Sequence, residues 1–291
     1  MYKFSIIGGN SSIARNFLKY LEDKDVNVKA YDIQSSQADG FDNYRKIDLM
    51  SVTDIESIDF DCDAVFVFSG LNGAERSNID AQSFIDINEK VLINILNAVA
   101  GKKAHCRIVY PSSRLVYKDM AKPLSEEDEL SPKSIYALNK FFAEKSINIF
   151  SQMYGVNYTI FRIAIPFGVL NENSSSYGIV GKLMEQARNG KINLFGDGSS
   201  VRTFTHIADI CRVLYEGSIS EKTLNGVFNI GGHSYSMLSL ARAICDRSDC
   251  KIEFTDWPQN LLSVEVKNGK LDSSKIDGIL DMKYKDILSC I

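Results

Sequence analysis

The chain has 291 residues, 45% of them hydrophobic and 24% charged, with a formal net charge of -4. That length can bury a full core in one large domain or two interlocked ones, and a weakly acidic chain without a basic patch argues against nucleic acid as the partner. The six cysteines form no Cys-x-x-Cys pair and only three histidines accompany them, so no metal is expected and the thiols read as reduced, as in a cytosolic protein. The first apolar run is too short for a signal peptide, and no stretch approaches the length of a membrane span.

Residues 2–7 read as a buried strand and Gly8-Gly9-Asn10-Ser11-Ser12 as a turn. Ile13, Phe17, Leu18 and Leu21 then repeat at helical spacing. A strand, a turn of small residues and a helix make a phosphate site, because the first amides of the helix point at the anion. Residues 26–31 form the second strand. Asp32 at its end is placed to accept ribose hydroxyls and repel a 2′-phosphate; an ordinary turn Asp is the alternative. Asp48-Leu49 follow Ile47, and 63–68 form the fourth strand, turning at Ser69-Gly70-Leu71. Around 88–99 a helix aligns Ile87, Val91, Ile95 and Val99 with Leu92 and Leu96 beside them, a face broad enough for burial on more than one side.

Residues 107–110 form the fifth strand, and Ser112-Ser113 close it. The helix at 135–154 then carries Tyr136 and Lys140, four apart and so on one face. An ammonium there is expected to favour the phenolate and lower the Tyr136 pKa, as acid/base work near neutral pH requires. The same helix is heavy in Phe141, Phe142, Ile147, Phe150 and Met153, and 158–163 form the sixth strand. Alternating strands and helices predict an α/β fold with a doubly wound parallel sheet. Past Pro166 the pattern loosens into a polar loop at 171–177, a candidate substrate-side flap, and a helix at 179–189.

Ser112-Ser113 at a strand end, Val116-Tyr117, an acidic loop, Ser131-Pro132 and then Tyr136-x-x-x-Lys140 resemble the short-chain dehydrogenase/reductase superfamily. The likeness is to its extended branch of nucleotide-sugar epimerases and dehydratases. Gly196, Gly198, Arg202, Phe204, His206 and Asp209 resemble that branch's Gly-x-Gly-x-x-x-Arg-x-Phe-x-His-x-x-Asp segment, and Asn229-Ile230-Gly231-Gly232 its Asn-x-Gly turn. The resemblance covers essentially the whole chain. It implies a Rossmann NAD domain at 1–166, with 203–232 returning to it, and a smaller, interleaved substrate domain at 167–202 and 233–291.

The resemblance also assigns roles. Ser113, Tyr136 and Lys140 would be catalytic. Gly8, Ser11, Ser12, Ile13, Asp32, Asp48, Leu49, Phe68, Ser69, Gly70, Asn88, Tyr136 and Lys140 would contact NAD, with Lys140 on the nicotinamide ribose. Ser113 and Arg202 would contact a nucleotide-sugar substrate, Arg202 at its diphosphate, while His206 reads as structural. A homodimer through the helices holding Val91 and Phe142 is implied, with no nucleic-acid or membrane partner and a cytoplasmic setting.

Three departures matter. The family's Gly-x-x-Gly-x-x-Gly reads Gly8, Ser11, Ala14. Its Arg-x-x-Asn-x-x-Gly reads Arg162, Ile165, Gly168, and a branched alkyl cannot donate to a diphosphate. Dehydratases resemble Thr-Asp-Glu where this chain has Ser113-Arg114-Leu115, so elimination of water is not expected. The expected reaction is 4-epimerisation of a nucleotide sugar through transient oxidation at carbon 4. The alternatives are a one-way 4-keto-sugar reductase and a non-catalytic cofactor-sensing or scaffold protein of the same fold.

Overall fold

The computed structural model describes residues 1–173 and 178–291. Its strands are β1 (Tyr2–Ile7), β2 (Val26–Asp32), β3 (Tyr44–Lys46), β4 (Ala64–Val67), β5 (Arg107–Ser113), β6 (Asn157–Ile163), β7 (Ile165–Phe167), β8 (Lys191–Phe195), β9 (Val201–His206), β10 (Gly226–Ile230), β11 (His233–Ser236), β12 (Lys251–Thr255) and β13 (Asn268–Gly269). Seven of them form one sheet in the order β10-β6-β5-β4-β1-β2-β3, and every pairing in it is parallel.

Alternate strand residues face opposite sides, and each side has its own core. On one side Phe4, Ile6, Phe66, Val109 and Phe161 pack against Phe17 and Leu18 of the helix Ser12–Leu21 and Ile210 and Leu214 of the helix Ile207–Ile219. On the other, Ile7, Val65, Val67, Ile108 and Ile160 pack against the helix Val91–Gly101 and against Ala143 and Ile147 of the helix Ile135–Tyr154. The apolar line Val91, Leu92, Ile95, Leu96 and Val99 is therefore buried within the chain itself.

The strand order reverses between β1 and β4. Helices leave to opposite faces there, which opens a crevice at the carboxyl ends of those strands. β5 runs on to Ser113, beyond the segment paired with β4, and so carries its two serines to the crevice. The smaller part holds the β8–β12 pair and a sheet in which β9 pairs with β11, β13 and β7. Between these elements β10 rejoins the main sheet beside β6.

The expectation of free thiols is corrected at one place. The helix Met237–Ser248 ends at Asp249 in the left-handed conformation, φ 48°. This turn brings Cys250 back onto Cys245 with 4.6 Å between their Cα atoms, and the two form a disulfide. Cys62, Cys106, Cys211 and Cys290 are free. No helix of the described residues is long and apolar enough to cross a membrane. Residues 174–177 of the expected flap lie outside the described residues.

Candidate active site

Ser113 and Tyr136 meet where β5 ends. The Ser113 hydroxyl accepts from the Leu115 amide at 3.2 Å and caps a short 3-10 turn. Ser134 caps the helix Ile135–Tyr154, accepting from the Ala137 amide at 3.2 Å. The Tyr136 amide donates to Ser77 Oγ at 2.9 Å, so the start of this helix is fixed at both ends of its first turn. Lys140 donates from Nζ to the Pro111 carbonyl at 2.8 Å. It lies 4.5 Å from the Tyr110 ring centre and 5.8 Å from that of Tyr136. Both Tyr136 and Lys140 are half-buried.

The electrostatics run against the sequence expectation. Burial raises the Tyr136 phenol above its ordinary value, and the hydrogen bond to Ser113 offsets only part of that. Burial also brings the Lys140 ammonium down to about 8, against an upward pull from Glu144. Desolvation disfavours the charged form of each group. The ammonium is engaged with a carbonyl and the face of Tyr110, so it does not lower the phenol.

At the nucleotide crevice, Gly8 adopts φ 85° and a Cβ there would lie 2.3 Å from the Ser69 amide nitrogen, so only glycine fits. Ser11 is the helix cap, accepting from the Ala14 amide at 3.4 Å. By position, the first-turn amides of Ser12 and Ile13 have no helical acceptor. Asp32 accepts from the Asn10 amide at 2.9 Å and the Gln34 amide at 3.3 Å. Lys46 stands opposite it on the parallel neighbour β3. Asp48 is exposed and accepts from the Met50 amide at 2.9 Å, while Leu49 packs on the core beside it. Phe68 is a core side chain, 5.8 Å from Phe17 and 5.9 Å from Phe66 between ring centres.

Asn88 is not on the surface. It is 7% exposed, in a π-helical turn, Asp86–Lys90. It accepts from the Leu71 amide at 2.7 Å and donates to the Leu71 carbonyl at 3.0 Å, latching the Ser69-Gly70-Leu71 loop. A Cβ on Gly70 would meet Asn88 Oδ1 at 2.9 Å.

Arg202 makes a two-pronged ion pair with Glu265, 2.8 and 2.9 Å. His206 caps the helix Ile207–Ile219, its Nδ1 accepting from the Ala208 amide at 3.1 Å. Its ring fills the space beside Gly168, leaving no room for a Cβ.

A family model described as the NAD dependent epimerase/dehydratase family matches residues 4–231. The chain belongs to this family. A putative UDP-glucose 4-epimerase of Methanocaldococcus jannaschii is 27% identical over 162 residues, 51% of this chain and 53% of the relative. The chain thus spans about half the length of that curated relative. The low-salt glycan biosynthesis protein Agl12 of Haloferax volcanii is 26% identical, covering 86% of this chain and 85% of its own. A solved UDP-N-acetylglucosamine 4-epimerase of Methanobrevibacter ruminantium M1, in complex with UDP-N-acetylmuramic acid, superposes with a TM-score of 0.84 at 25% identity. It covers 98% of this chain and 94% of its own.

The cofactor of this epimerase/dehydratase-family chain is NAD, and the crevice residues fit it. The Gly8 cradle admits no Cβ, and the buried Ser69 Oγ has no partner among the described residues. A small-residue turn, two unclaimed helical amides and a carboxylate at the end of β2 suit a dinucleotide.

Reading the sequence missed the buried polar spine beneath the site. Glu144, one helical turn beyond Lys140, accepts from Ser112 Oγ at 2.5 Å and from Arg162 Nε and Nη2 at 3.0 and 2.7 Å. Arg162 Nη1 donates to the Tyr117 hydroxyl at 2.8 Å, which donates to Asn229 Oδ1 at 2.7 Å. The one available signal was a helix carboxylate four residues after Lys140.

Proposed function

We propose that the chain is an NAD-dependent 4-epimerase of a nucleotide-activated sugar. The observation that carries this reading is the meeting of the Ser113 hydroxyl with the Tyr136 phenol on the helix face shared with Lys140, at the open end of a dinucleotide crevice. Bound NAD supplies a hydride acceptor and, in the return step, a donor at carbon 4. Ser113 holds the sugar 4-oxygen. Tyr136, once ionised, takes the proton of the 4-hydroxyl and gives it back when the other face has been reduced. Lys140 holds the cofactor's ribose. Nucleotide-hexoses test the reading. Tyr136→Phe should lower turnover by about a hundred- to ten-thousandfold; a variant that turns over like the wild type refutes it.

A second reading, a one-way 4-keto-sugar reductase, draws support from the raised phenol of Tyr136. A phenol kept protonated is an acid, and reduction of a ketone needs a proton donor. A reductase exchanges its cofactor every turnover, so NAD retained through purification favours the epimerase. Neither reaction includes loss of water, because Leu115 has no proton to exchange and Arg114 is a poor proton donor; no 4-keto-6-deoxy product should form. We also propose a homodimer through the helix Ile135–Tyr154, which leaves Leu138, Ile149, Met153 and Tyr154 exposed. A monomer by light scattering at micromolar concentration would refute it.

A further inference from the structure

The helix Ile135–Tyr154 opens with Ile135, Tyr136 and Ala137, whose amides have no acceptor within the helix. The Ser134 side chain takes only the last of them. The other two are taken by a different helix, Ala74–Ile79. The Ile135 amide donates to Asn78 Oδ1 at 3.0 Å and the Tyr136 amide to Ser77 Oγ at 2.9 Å, across 57 and 59 residues of chain. Ser77 is fully buried. Its single proton goes to the Ala74 carbonyl at 2.7 Å, which leaves its lone pairs for Tyr136. The main chain of Tyr136 is therefore held from outside its own helix.

The same joint is gripped from the smaller part. Residues 258–265 include the short helix Gln259–Leu262. Asn260 Nδ2 donates to Glu75 Oε1, on the helix that takes the Tyr136 amide. Further on, the Glu265 carbonyl accepts from Lys133 Nζ at 3.1 Å, directly before the Ser134 cap. The Glu265 carboxylate is meanwhile tied by both oxygens to Arg202 on β9. One segment thus touches each of the two helices that meet at Tyr136 and is anchored in the smaller sheet. Asn78, Lys133 and Asn260 are exposed, so each can be changed without disturbing a core.

We propose that Ser77 and Asn78 are positioning residues for Tyr136, and that the 258–265 segment couples their hold to the smaller part of the protein. Neither residue acts on the substrate; both act through the backbone at the start of the Tyr136 helix. This rests on the reading of Tyr136 as the proton-transfer group given above and adds what sets its place. A displacement of about 1 Å at a reacting group can cost about a hundredfold in rate, so a capping bond at the second residue of this helix bears directly on turnover. With the segment docked, both first-turn amides are held. With it released, Tyr136 stands on a frayed helix end.

Hydrogen–deuterium exchange on NAD-saturated full-length protein tests the joint. First-turn amides of a helix ordinarily exchange freely; those of Ile135 and Tyr136 should be protected. Asn78→Ala should speed exchange at Ile135. The double variant Asn260→Ala with Lys133→Met removes both contacts of the 258–265 segment with the joint. It should speed exchange at Ile135 and Tyr136 by about fivefold, the scale of one hydrogen bond. Unprotected amides in the wild type overturn the capping, and unchanged exchange in the double variant overturns the coupling. Turnover of a nucleotide-hexose, expressed per bound NAD so that unfolded protein does not count, tests the positioning. Asn78→Ala should lower kcat about tenfold with KM within about twofold. Asn78→Asp, which keeps an acceptor oxygen in the same place, should restore it. No loss, or a loss that Asn78→Asp leaves in place, overturns the positioning role. The exchange measurement does not depend on turnover, so failure of the nucleotide-sugar reading and failure of this joint are told apart.

Discussion

Replacing Glu144 by glutamine keeps the side chain's shape and removes its charge. Glu144 and Arg162 are 5% and 4% exposed, and the carboxylate receives two bonds from Arg162 and one from Ser112. With the charge gone, an amide nitrogen is turned toward a guanidinium that remains ionised. Stranding one member of a buried pair costs about 3–5 kcal/mol. Unfolding entropy near 2.1 cal/mol/K per residue gives about 0.6 kcal/mol/K for a chain this long, so Tm should fall by about 5–8 °C. Circular dichroism melts of cofactor-free protein at neutral pH measure the effect. The double variant Glu144→Met with Arg162→Met should recover more than half of the loss, because it strands no charge. A single-variant shift below about 2 °C, or a double variant no better than the single, would refute the view of this pair as one unit, since at the slope above such shifts fall near 1 kcal/mol.

Ser11→Gly should leave NAD affinity within about twofold, because the crevice offers backbone amides and glycine caps a helix nearly as well as serine; a tenfold loss by titration would mean that the hydroxyl itself binds the cofactor. Lys140 has a folded-state pKa lowered to about 8 by burial, so the unfolded chain binds more protons than the folded one between about 8 and the ordinary lysine value. The burden is full below about 8 and fades as pH rises through that window, so any Tm advantage of Lys140→Met should shrink between pH 7 and 9.5; a difference that does not change with pH would contradict the assignment. Thiol titration of denatured protein should count four thiols before reduction and six after, given the Cys245–Cys250 bond; six at the outset would refute the pairing.

The strand–helix alternation and the Ser113, Tyr136 and Lys140 set were legible because each depends on local periodicity and short spacing. What stayed hidden depends on pairing across the chain. Lys46 stands opposite Asp32 only through the β2–β3 register. Asn88, assigned to the cofactor by resemblance, latches Leu71 from a π-helical turn that residue spacing does not reveal. The direction of the Tyr136 shift was misjudged because spacing shows the neighbouring charge and not the burial that outweighs it. Cys245 and Cys250 join across a left-handed Asp249, a backbone state that the residue type alone does not announce.

The return of β10 to the edge of the main sheet has a consequence for synthesis on the ribosome. β6, almost wholly buried in the finished protein, has its outer hydrogen-bonding edge closed by β10. From Ile163 to Gly226 the ribosome must add 226 − 163 = 63 residues. At about 5–20 residues per second that is roughly 3–13 s, during which a nearly complete sheet presents an unpaired strand. Such an edge invites pairing with another nascent chain, so the nascent chain's most vulnerable interval falls late, after the nucleotide crevice has been translated.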